Sequence, residues 1–262
     1  MARRLSLSVI AICAAAGAAT AADFTAKQIT QDLYKATDDA PLNYARRDLT
    51  DLDLAGLKFK KANLSEANLF GADLSGADLT GVNLHAARLD RVNIIGTRFD
   101  QADLSEASIL RPASATTFEG NRSEAASFVG ANLTKARLFG VFTGGTFAKA
   151  RMAGVTLAPF SDTGFIEVLW RSRLDSADLT GTDLTGADLS HVSFRFANLQ
   201  GANLAGARLV NADLSHADLT GADLTGADLS RADLDRAILT GAKGLDSVGG
   251  LSTARNRDKA IE

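Results

Sequence analysis

Large apolar residues recur at every fifth position along two long stretches of the chain. The first series runs from Leu49 to Ile109 with thirteen members, and the second runs from Leu174 to Leu239 with fourteen. A small residue, most often alanine, stands two positions before most of these members. The pattern is therefore a tandem repeat of five residues.

A period of five excludes an amphipathic helix and a straight strand. Five residues advance an α-helix by about 500°, or about 140° past a full turn, so the leucines would not form a stripe. Side chains of a strand alternate between faces, and five is odd. The chain must bend once per unit, and glycines at unit boundaries such as Gly76 and Gly226 permit this. Four bends close a square coil of twenty residues, with coils about 4.8 Å apart as parallel strands.

The coil predicts which residues stack on one another. Leu204 and Leu224 are twenty positions apart and should lie in adjacent coils, both buried, and Leu79 and Leu209 should also be fully buried. The outward positions should form columns, of which several alternate in sign or interleave amides. These columns are Lys58, Asp78 and Arg98; Asp188, Arg208 and Asp228; Asp178, Asn198 and Asp218; and Asp183, Asn203 and Asp223. Two like-charged pairs are exceptions to this tendency: Asp53 with Asp73 and Asp213 with Asp233. From Leu49 to Leu239 the chain is long enough for about 9.5 coils, a rod of roughly 45 Å.

Two units spell out the repeat nearly verbatim, as Ala72-Asp73-Leu74-Ser75-Gly76 and Ala222-Asp223-Leu224-Thr225-Gly226. Over roughly residues 45–243 the chain resembles the pentapeptide-repeat proteins, whose consensus is Ala-(Asp/Asn)-Leu-x-x. The resemblance implies an all-β solenoid, a right-handed quadrilateral parallel β-helix. The motif specifies fold positions and no catalytic residues, so it implies no cofactor and no site residues.

Residues 1–22 have the features of a secretory signal peptide. Arg3 and Arg4 precede an apolar segment, and Ala19-Thr20-Ala21 provides small residues for cleavage after Ala21 or Ala22. We therefore expect a periplasmic or secreted protein with no transmembrane span after cleavage. The alternative is an uncleaved membrane anchor, although the segment is short for a span.

The two ends of the coil differ in sequence from the repeat. Residues 23–43 place Phe24, Ile29, Leu33 and Ala36 on one helical face, which predicts a short α-helix. The open edge of a β-helix must be covered, so we interpret residues 23–43 as an N-terminal capping helix; a partner-binding helix is the alternative. Residues 244–262 are rich in glycine and charge, and we expect a partly disordered C-terminal tail.

The coil, predicted over residues 44–243, is interrupted twice. Irregular corners are predicted at 110–117, and the register slips again between Leu138 and Phe142, which predicts a tightened or bulged corner. Residues 158–173 abandon the pattern, and Pro159 and Gly164 favour a loop that leaves the rod. Its apolar and basic residues form the candidate partner-docking surface: Phe160, Phe165, Ile166, Leu169, Trp170, Arg171 and Arg173. The alternative is that these apolar side chains pack against an outer wall of the rod.

The net charge and the positions of the cysteine and histidines reduce the classes of function that the sequence allows. The net charge is −3, or −5 without Arg3 and Arg4, which excludes a nucleic-acid binder that works by bulk charge. Residues 111–173 are locally basic, at +4, and residues 174–239 are acidic, at −6. The single cysteine, Cys13, lies in the leader, so the mature chain forms no disulfide. The three histidines, His85, His191 and His216, fall at outward positions without metal-ligand spacing, and no cofactor is expected.

These observations favour an exported, non-enzymatic rod, a protein-interaction or structural module of the periplasm or cell envelope with an unidentified protein partner. The alternative comes from the family resemblance. Its quinolone-resistance members resemble duplex DNA and act on gyrase, but an export signal argues against a cytoplasmic target. A hydrolase that uses paired wall carboxylates is a third class, and the rod predicts no concave pocket for one.

Overall fold

Isolated β-bridges, each between one residue and one residue of the next coil, hold successive coils of the protein together. The computed structural model describes residues 22–37, 39–114, 124–159 and 171–262. Within them the chain forms one helix, α1 (Ala26–Lys35), and two short strands, β1 (Ser108–Leu110) and β2 (Arg137–Phe139), which pair in parallel. Nearly all remaining β-pairing joins one residue of a five-residue unit to one residue of the unit directly above it.

The paired units form four columns, which we call walls 1 to 4 in the order in which the chain visits them. Each wall is defined by the buried apolar residues at its unit centres: Leu64, Leu84, Leu104 and Leu204 in wall 1; Leu69, Leu89, Ile109 and Leu209 in wall 2; Leu74, Ile94, Phe142 and Leu214 in wall 3; and Leu79, Phe99, Phe128 and Leu219 in wall 4. The four series share one continuous hydrophobic core.

The predicted stacking is confirmed. Asn203 pairs with Asp223, so Leu204 and Leu224 occupy adjacent coils of wall 1, and both are fully buried. Leu79 and Leu209 are also fully buried. The predicted outward columns occur as well: Lys58 pairs with Asp78 and Asp78 with Arg98, and the Asp188, Asp178 and Asp183 series pair in the same way.

Each position of the repeat has a structural role, which the unit around Leu224 illustrates. The Asp223 carboxylate accepts the backbone N–H of Thr225 at 2.9 Å and its hydroxyl at 2.6 Å. Gly226 adopts a left-handed conformation, with φ +65°, and the N–H of Ala227 then donates to the Leu224 carbonyl at 2.9 Å. The aspartate therefore fixes the bend, the glycine permits it, and the small alanine lets the next wall begin close to the core.

Three departures from the twenty-residue spacing occur in consecutive coils. Ser108 pairs with Arg137, 29 positions on, which is nine residues more than the regular spacing. Thr146 pairs back to Ser127, only 19 positions away, because the corner between Leu138 and Phe142 is one residue short, as predicted. Val141 then pairs with Arg173, 32 positions on, which is twelve residues more than the regular spacing. Together these departures take up one coil of chain, so the rod has one coil fewer than the sequence count.

Helix α1 lies against the first coils. Thr25 and Gln28 form a reciprocal capping box at its N-terminus. Ile29 and Leu33 are buried in the common core. The ammonium group of Lys60 donates to the carbonyls of Leu33 and Ala36, at 2.8 and 2.7 Å, and so satisfies the C-terminal end of the helix. A helix is therefore present within the predicted range, with Ile29 and Leu33 buried; of the other two predicted residues, Phe24 precedes the helix and packs on the core, and Ala36 is its C-cap.

The structure corrects the prediction of a partly disordered C-terminal tail. Residues 244–262 continue the coil in six-residue units, and Lys243, Gly249, Arg255 and Ile261 pair with the coil before them. Short 3₁₀ turns span Leu245–Ser247, Leu251–Thr253 and Arg257–Lys259. The period changes from five to six because a 3₁₀ turn replaces the tight corner, and the five-residue pattern does not reveal it.

Candidate functional site

Leu157 and Ser172, which flank the predicted loop in sequence, lie on either side of the corner between walls 2 and 3. Leu157 ends a unit of wall 2, and its N–H donates to the Asp188 carbonyl at 2.9 Å. Arg173 belongs to wall 3. The buried hydroxyl of Ser172 donates to the carbonyl of Leu157 at 2.7 Å and ties the two ends of the loop together. Leu157 and Ser172 therefore form a closed neck, which is the pair of positions between which the predicted loop lies in sequence.

The predicted docking residues divide into two groups. Five of them lie outside the described residues: Phe160, Phe165, Ile166, Leu169 and Trp170. Arg171 is half-buried at the neck. Arg173 lies in the wall, where its guanidinium binds the Asp175 carboxylate at 2.8 and 2.9 Å. Its charge therefore belongs to an ion pair of the rod.

The coils that precede residues 158–173 are irregular at this same corner between walls 2 and 3. Arg91 and Arg111 occupy it in successive coils, both in the left-handed region with φ 58° and 53°, and Gly140 follows. Gly140 has φ +149°, and a Cβ there would lie 2.9 Å from Cδ of Pro112. This close approach explains how the corner is completed with one residue fewer.

Four exposed arginines lie on wall 2 and this corner, and we call them the arginine patch: Arg88, Arg91, Arg111 and Arg137. In wall 2, Ser108 pairs with both Arg88 and Arg137. The guanidinium carbons of Arg88 and Arg91 lie 4.5 and 5.6 Å from the ring centre of Phe70, within the range of cation–π attraction. Sequence reasoning missed the patch, because its members belong to different stretches of the chain.

The coils after the loop have a different surface. Walls 1 and 4 present Asp178, Asp183, Asp218 and Asp223 between residues 174 and 239. The Thr225 hydroxyl, and then its backbone N–H, holds the pKa of Asp223 below its usual range. This carboxylate stays ionised and serves as an acceptor within its own turn, a structural use.

A small cavity lies at wall 3, beside Ser114. Ser114 stands where the wall 3 series otherwise has a large apolar residue, and its hydroxyl donates to the Val141 carbonyl at 2.5 Å. The resulting space of about 10 Å³ is lined by Ile94, Phe128 and Phe142, among others. A space of this size has room for about one water molecule and none for a substrate.

The histidines have individual surface roles. Nδ1 of His85 lies 2.9 Å from the Ser105 hydroxyl, and the ring of His216 stacks on Phe196 with centroids 4.7 Å apart. Within the described ranges, no three His, Cys, Asp or Glu side chains are grouped to hold a metal ion. The described residues also contain no helix that is long and apolar enough to cross a membrane.

Comparison with solved structures gives several similar chains. HetL, a pentapeptide repeat protein involved in heterocyst differentiation regulation from the cyanobacterium Nostoc sp. strain PCC 7120, is 26% identical, with a TM-score of 0.60 over 91% of this chain and 94% of HetL. Rfr23 from the cyanobacterium Cyanothece 51142 is 23% identical, with a TM-score of 0.34 over 66% of this chain and 90% of its own. QnrB1, a plasmid-mediated fluoroquinolone resistance protein, is 21% identical, with a TM-score of 0.32 over 78% of this chain and 89% of its own.

Sequence comparison gives the family directly. No curated protein matches the chain by sequence. The family model for pentapeptide repeats matches eight copies, over residues 48–85, 83–110, 172–209 and 202–241, which together make up half of the chain. The matched segments are the two regular parts of the rod on either side of the irregular coils. With the period of five, the four walls and these matches, the chain belongs to the pentapeptide-repeat family.

Proposed function

We propose that this protein is an exported, non-enzymatic rod that binds a protein partner through the loop at residues 158–173. In this proposal the rod is a right-handed, four-walled coil, and α1 covers its N-terminal edge. The coil holds the loop in place, and the loop supplies the contact. The protein acts in the periplasm or cell envelope.

One observation carries the proposal: among the described residues, wall pairing continues directly before and directly after residues 160–170. Thr156 pairs with Asp188 and Val141 pairs with Arg173, so wall pairing continues on both sides of the insertion. Six large apolar residues nevertheless occupy residues 160–170. Loops that a scaffold does not need for its own pairing commonly carry function, and aromatic residues commonly anchor interfaces.

The proposal that the rod is not an enzyme rests on the hydrogen bonds that its wall aspartates make. Wall aspartates repeatedly accept hydrogen bonds from the backbone two residues on, as Asp178 does from Thr180 at 3.0 Å and Asp228 does from Ser230 at 2.9 Å. These groups serve the repeat itself. The DNA-mimic alternative has less support, because the arginine patch interrupts any continuous acidic surface.

Affinity capture tests the proposal. The tagged full chain is expressed with its own leader, and protein is captured separately from the envelope and cytoplasmic fractions. One variant replaces residues 160–170 with a Gly-Ser linker and keeps Leu157 and Ser172, which close the neck. The matched control is Phe196→Ala, which removes another aromatic residue, 56% exposed, from a different corner.

We expect a specific envelope protein to be captured by the wild type and by Phe196→Ala, and to be lost from the linker variant. Equal capture by the linker variant would show that the loop is not the contact. Recovery of the tagged protein only from the cytoplasm, with its leader uncleaved, would contradict the exported role.

A further inference from the structure

The two corners that border wall 4 follow a rule that the other corners do not. We call them the entry corner, between walls 3 and 4, and the exit corner, between walls 4 and 1. From Gly56 to Gly241, at least one of these two corner residues is a glycine in each described coil. At each other wall, some coils carry side chains at both corners: Lys61 and Glu66 at wall 1, Glu106 and Arg111 at wall 2, and His191 and Phe196 at wall 3.

The glycines of wall 4 change sides along the rod. They lie at the entry corner in the first coils, and at the exit corner after residue 174. The corner residues that share a coil, with the entry corner first, are Gly56 and Lys61, Gly96 and Gln101, Gly144 and Lys149, Ser176 and Gly181, Phe196 and Gly201, His216 and Gly221, and Arg236 and Gly241. A Cβ on Gly56, Gly201, Gly221 or Gly241 would meet nothing within 4 Å. In these coils one edge of wall 4 is therefore raised by a side chain and the other edge is open.

A two-fold axis parallel to the rod makes wall 4 complementary to itself. This axis sets each coil against the same coil of a second copy, and each entry corner against the other copy's exit corner. Phe196, which is 56% exposed, then faces Gly201 of the second copy, and Lys61 faces Gly56 of the second copy. Each raised edge thus meets an open edge, and the two walls approach closely.

The surface between the two corners also suits this parallel arrangement. The residue before each unit centre faces the residue after the same centre in the second copy, so that Arg98 faces Asp100 of opposite charge. Lys58 and Lys60 face each other with like charge at the N-terminal end. However, Lys60 is held by the carbonyls of α1, to which its ammonium group donates.

Charge argues against an antiparallel arrangement of the two copies. That arrangement also sets glycines against side chains, because the glycines change sides along the rod. It places Asp78 against Asp218 of the second copy, however, and like charges directly opposite each other are destabilising. The parallel arrangement is therefore the better match.

The size of wall 4 sets the expected strength of the contact. Its nine stacked units, from Phe59 to Leu239, span about 38 Å, and its width is roughly that of four extended residues, about 13 Å. Two copies together would bury about 1,000 Å², which is near the lower limit for a specific interface. The middle of the wall is uncharged, as interface centres commonly are, with Ser127, Val129, Thr146 and Ala148. We therefore expect a reversible dimer with a micromolar Kd.

We propose that wall 4 is a dimerisation surface, on which a second copy of this chain packs in parallel about a two-fold axis along the rod. The neck formed by Leu157 and Ser172 does not border wall 4. The dimer is therefore independent of the loop as the contact for a protein partner.

Sedimentation equilibrium of the protein, expressed with its own leader, measures the dimer directly. Gly201→Arg combined with Gly221→Arg fills the open edge and should weaken dimerisation at least tenfold. The matched control combines Gly186→Arg with Gly206→Arg at the corner between walls 1 and 2, where a Cβ also meets nothing within 4 Å. The control adds the same charge at similar left-handed positions, with φ 62° and 65° against 61° and 67°, and should dimerise within twofold of the wild type.

A cysteine cross-link tests the relative direction of the two copies. Thr220→Cys on wall 4 and Thr185→Cys on wall 1 are each made in a Cys13→Ser background. The two threonines are matched, because each hydroxyl donates to the aspartate of its own unit at 2.6 Å. A short bismaleimide should join two copies through position 220 and not through position 185, because the parallel arrangement brings position 220 of both copies to the same height.

Melting curves establish that both arginine variants are folded, and the cross-link decides alone if either is not. A wild type that stays monomeric throughout the micromolar range would overturn the proposal. Equal weakening in the two double variants would also overturn it, since wall 4 would then have no special part in association. Dimers that do not cross-link through position 220, or that cross-link equally through position 185, would exclude the parallel contact and so contradict the proposal.

Discussion

An alanine at Gly244 tests whether residues 244–262 are packed on the rod. Gly244 has φ +77°, and a Cβ there would lie 2.4 Å from Cα and 2.5 Å from the backbone nitrogen of Thr225. These are main-chain atoms of the coil beneath, which cannot rotate away. Gly241 is the matched control, because it has φ +66° and nothing within 4 Å of its Cβ position.

The two substitutions share one cost and differ in another. An alanine in the left-handed region costs roughly 1–2 kcal/mol at either position. Only Gly244→Ala also forces two coils apart, and overpacking of this kind costs about 1–3 kcal/mol. We therefore expect Gly244→Ala to be the more destabilising variant by about 1–3 kcal/mol. The effect should concentrate in the last coil, because a repeat protein loses its end units first.

Hydrogen exchange of the C-terminal peptides gives the most local measurement, and urea denaturation gives the global one. Gly244→Ala should speed exchange over residues 244–262 while leaving residues 174–220 close to wild type. Gly241→Ala should change exchange in the last coil much less. Equal exchange in both variants would refute the reasoning, since the clash with Thr225 would then have no energetic consequence.

Three further predictions concern the core, acid stability and export. Leu209→Ala should lower the free energy of unfolding in urea by about 2–5 kcal/mol, because the side chain is fully buried. Asp188→Ala should lower it by no more than about 1 kcal/mol. Comparable losses in the two variants would contradict the inside–outside assignment. Folding lowers the pKa of Asp223, so ionised Asp223 stabilises the folded state. This stabilisation is present above the unfolded pKa of about 3.9 and is lost as pH falls through the folded pKa. The melting temperature should therefore hold at neutral pH and fall below about pH 4. Mass spectrometry of the endogenous protein should show cleavage after Ala21 or Ala22, and a mature species that retains the leader would contradict export.

The regular walls could be predicted from the sequence because every unit has the same length. With a fixed period of five and four units per coil, the position of a residue alone gives its neighbours. Leu204 is thereby placed on Leu224, and Lys58 beneath Asp78, without knowledge of any contact. The inward and outward assignment follows in the same way, since burial repeats with the period.

The remaining features depend on contacts that the period does not encode. Arg88 and Arg137 lie in one wall only because the pairing of Ser108 with Arg137 is nine residues longer than the regular spacing. Lys60 reaches the carbonyls of α1 from the coil, which no local pattern reveals. The last coil was missed because Gly244 and Gly250 stand at its unit centres, where a backbone close to the coil beneath replaces a leucine.

The most direct test of the central claim, that the loop is a partner-docking surface, is the fluorescence of Trp170. It is the only tryptophan of the chain, so the emission of the free mature protein reports this residue alone. A docking surface should give red-shifted emission that acrylamide quenches readily, and the partner should then shift it to the blue. Blue-shifted emission that resists quenching in the free protein would contradict the account, because the loop would already be packed against the rod.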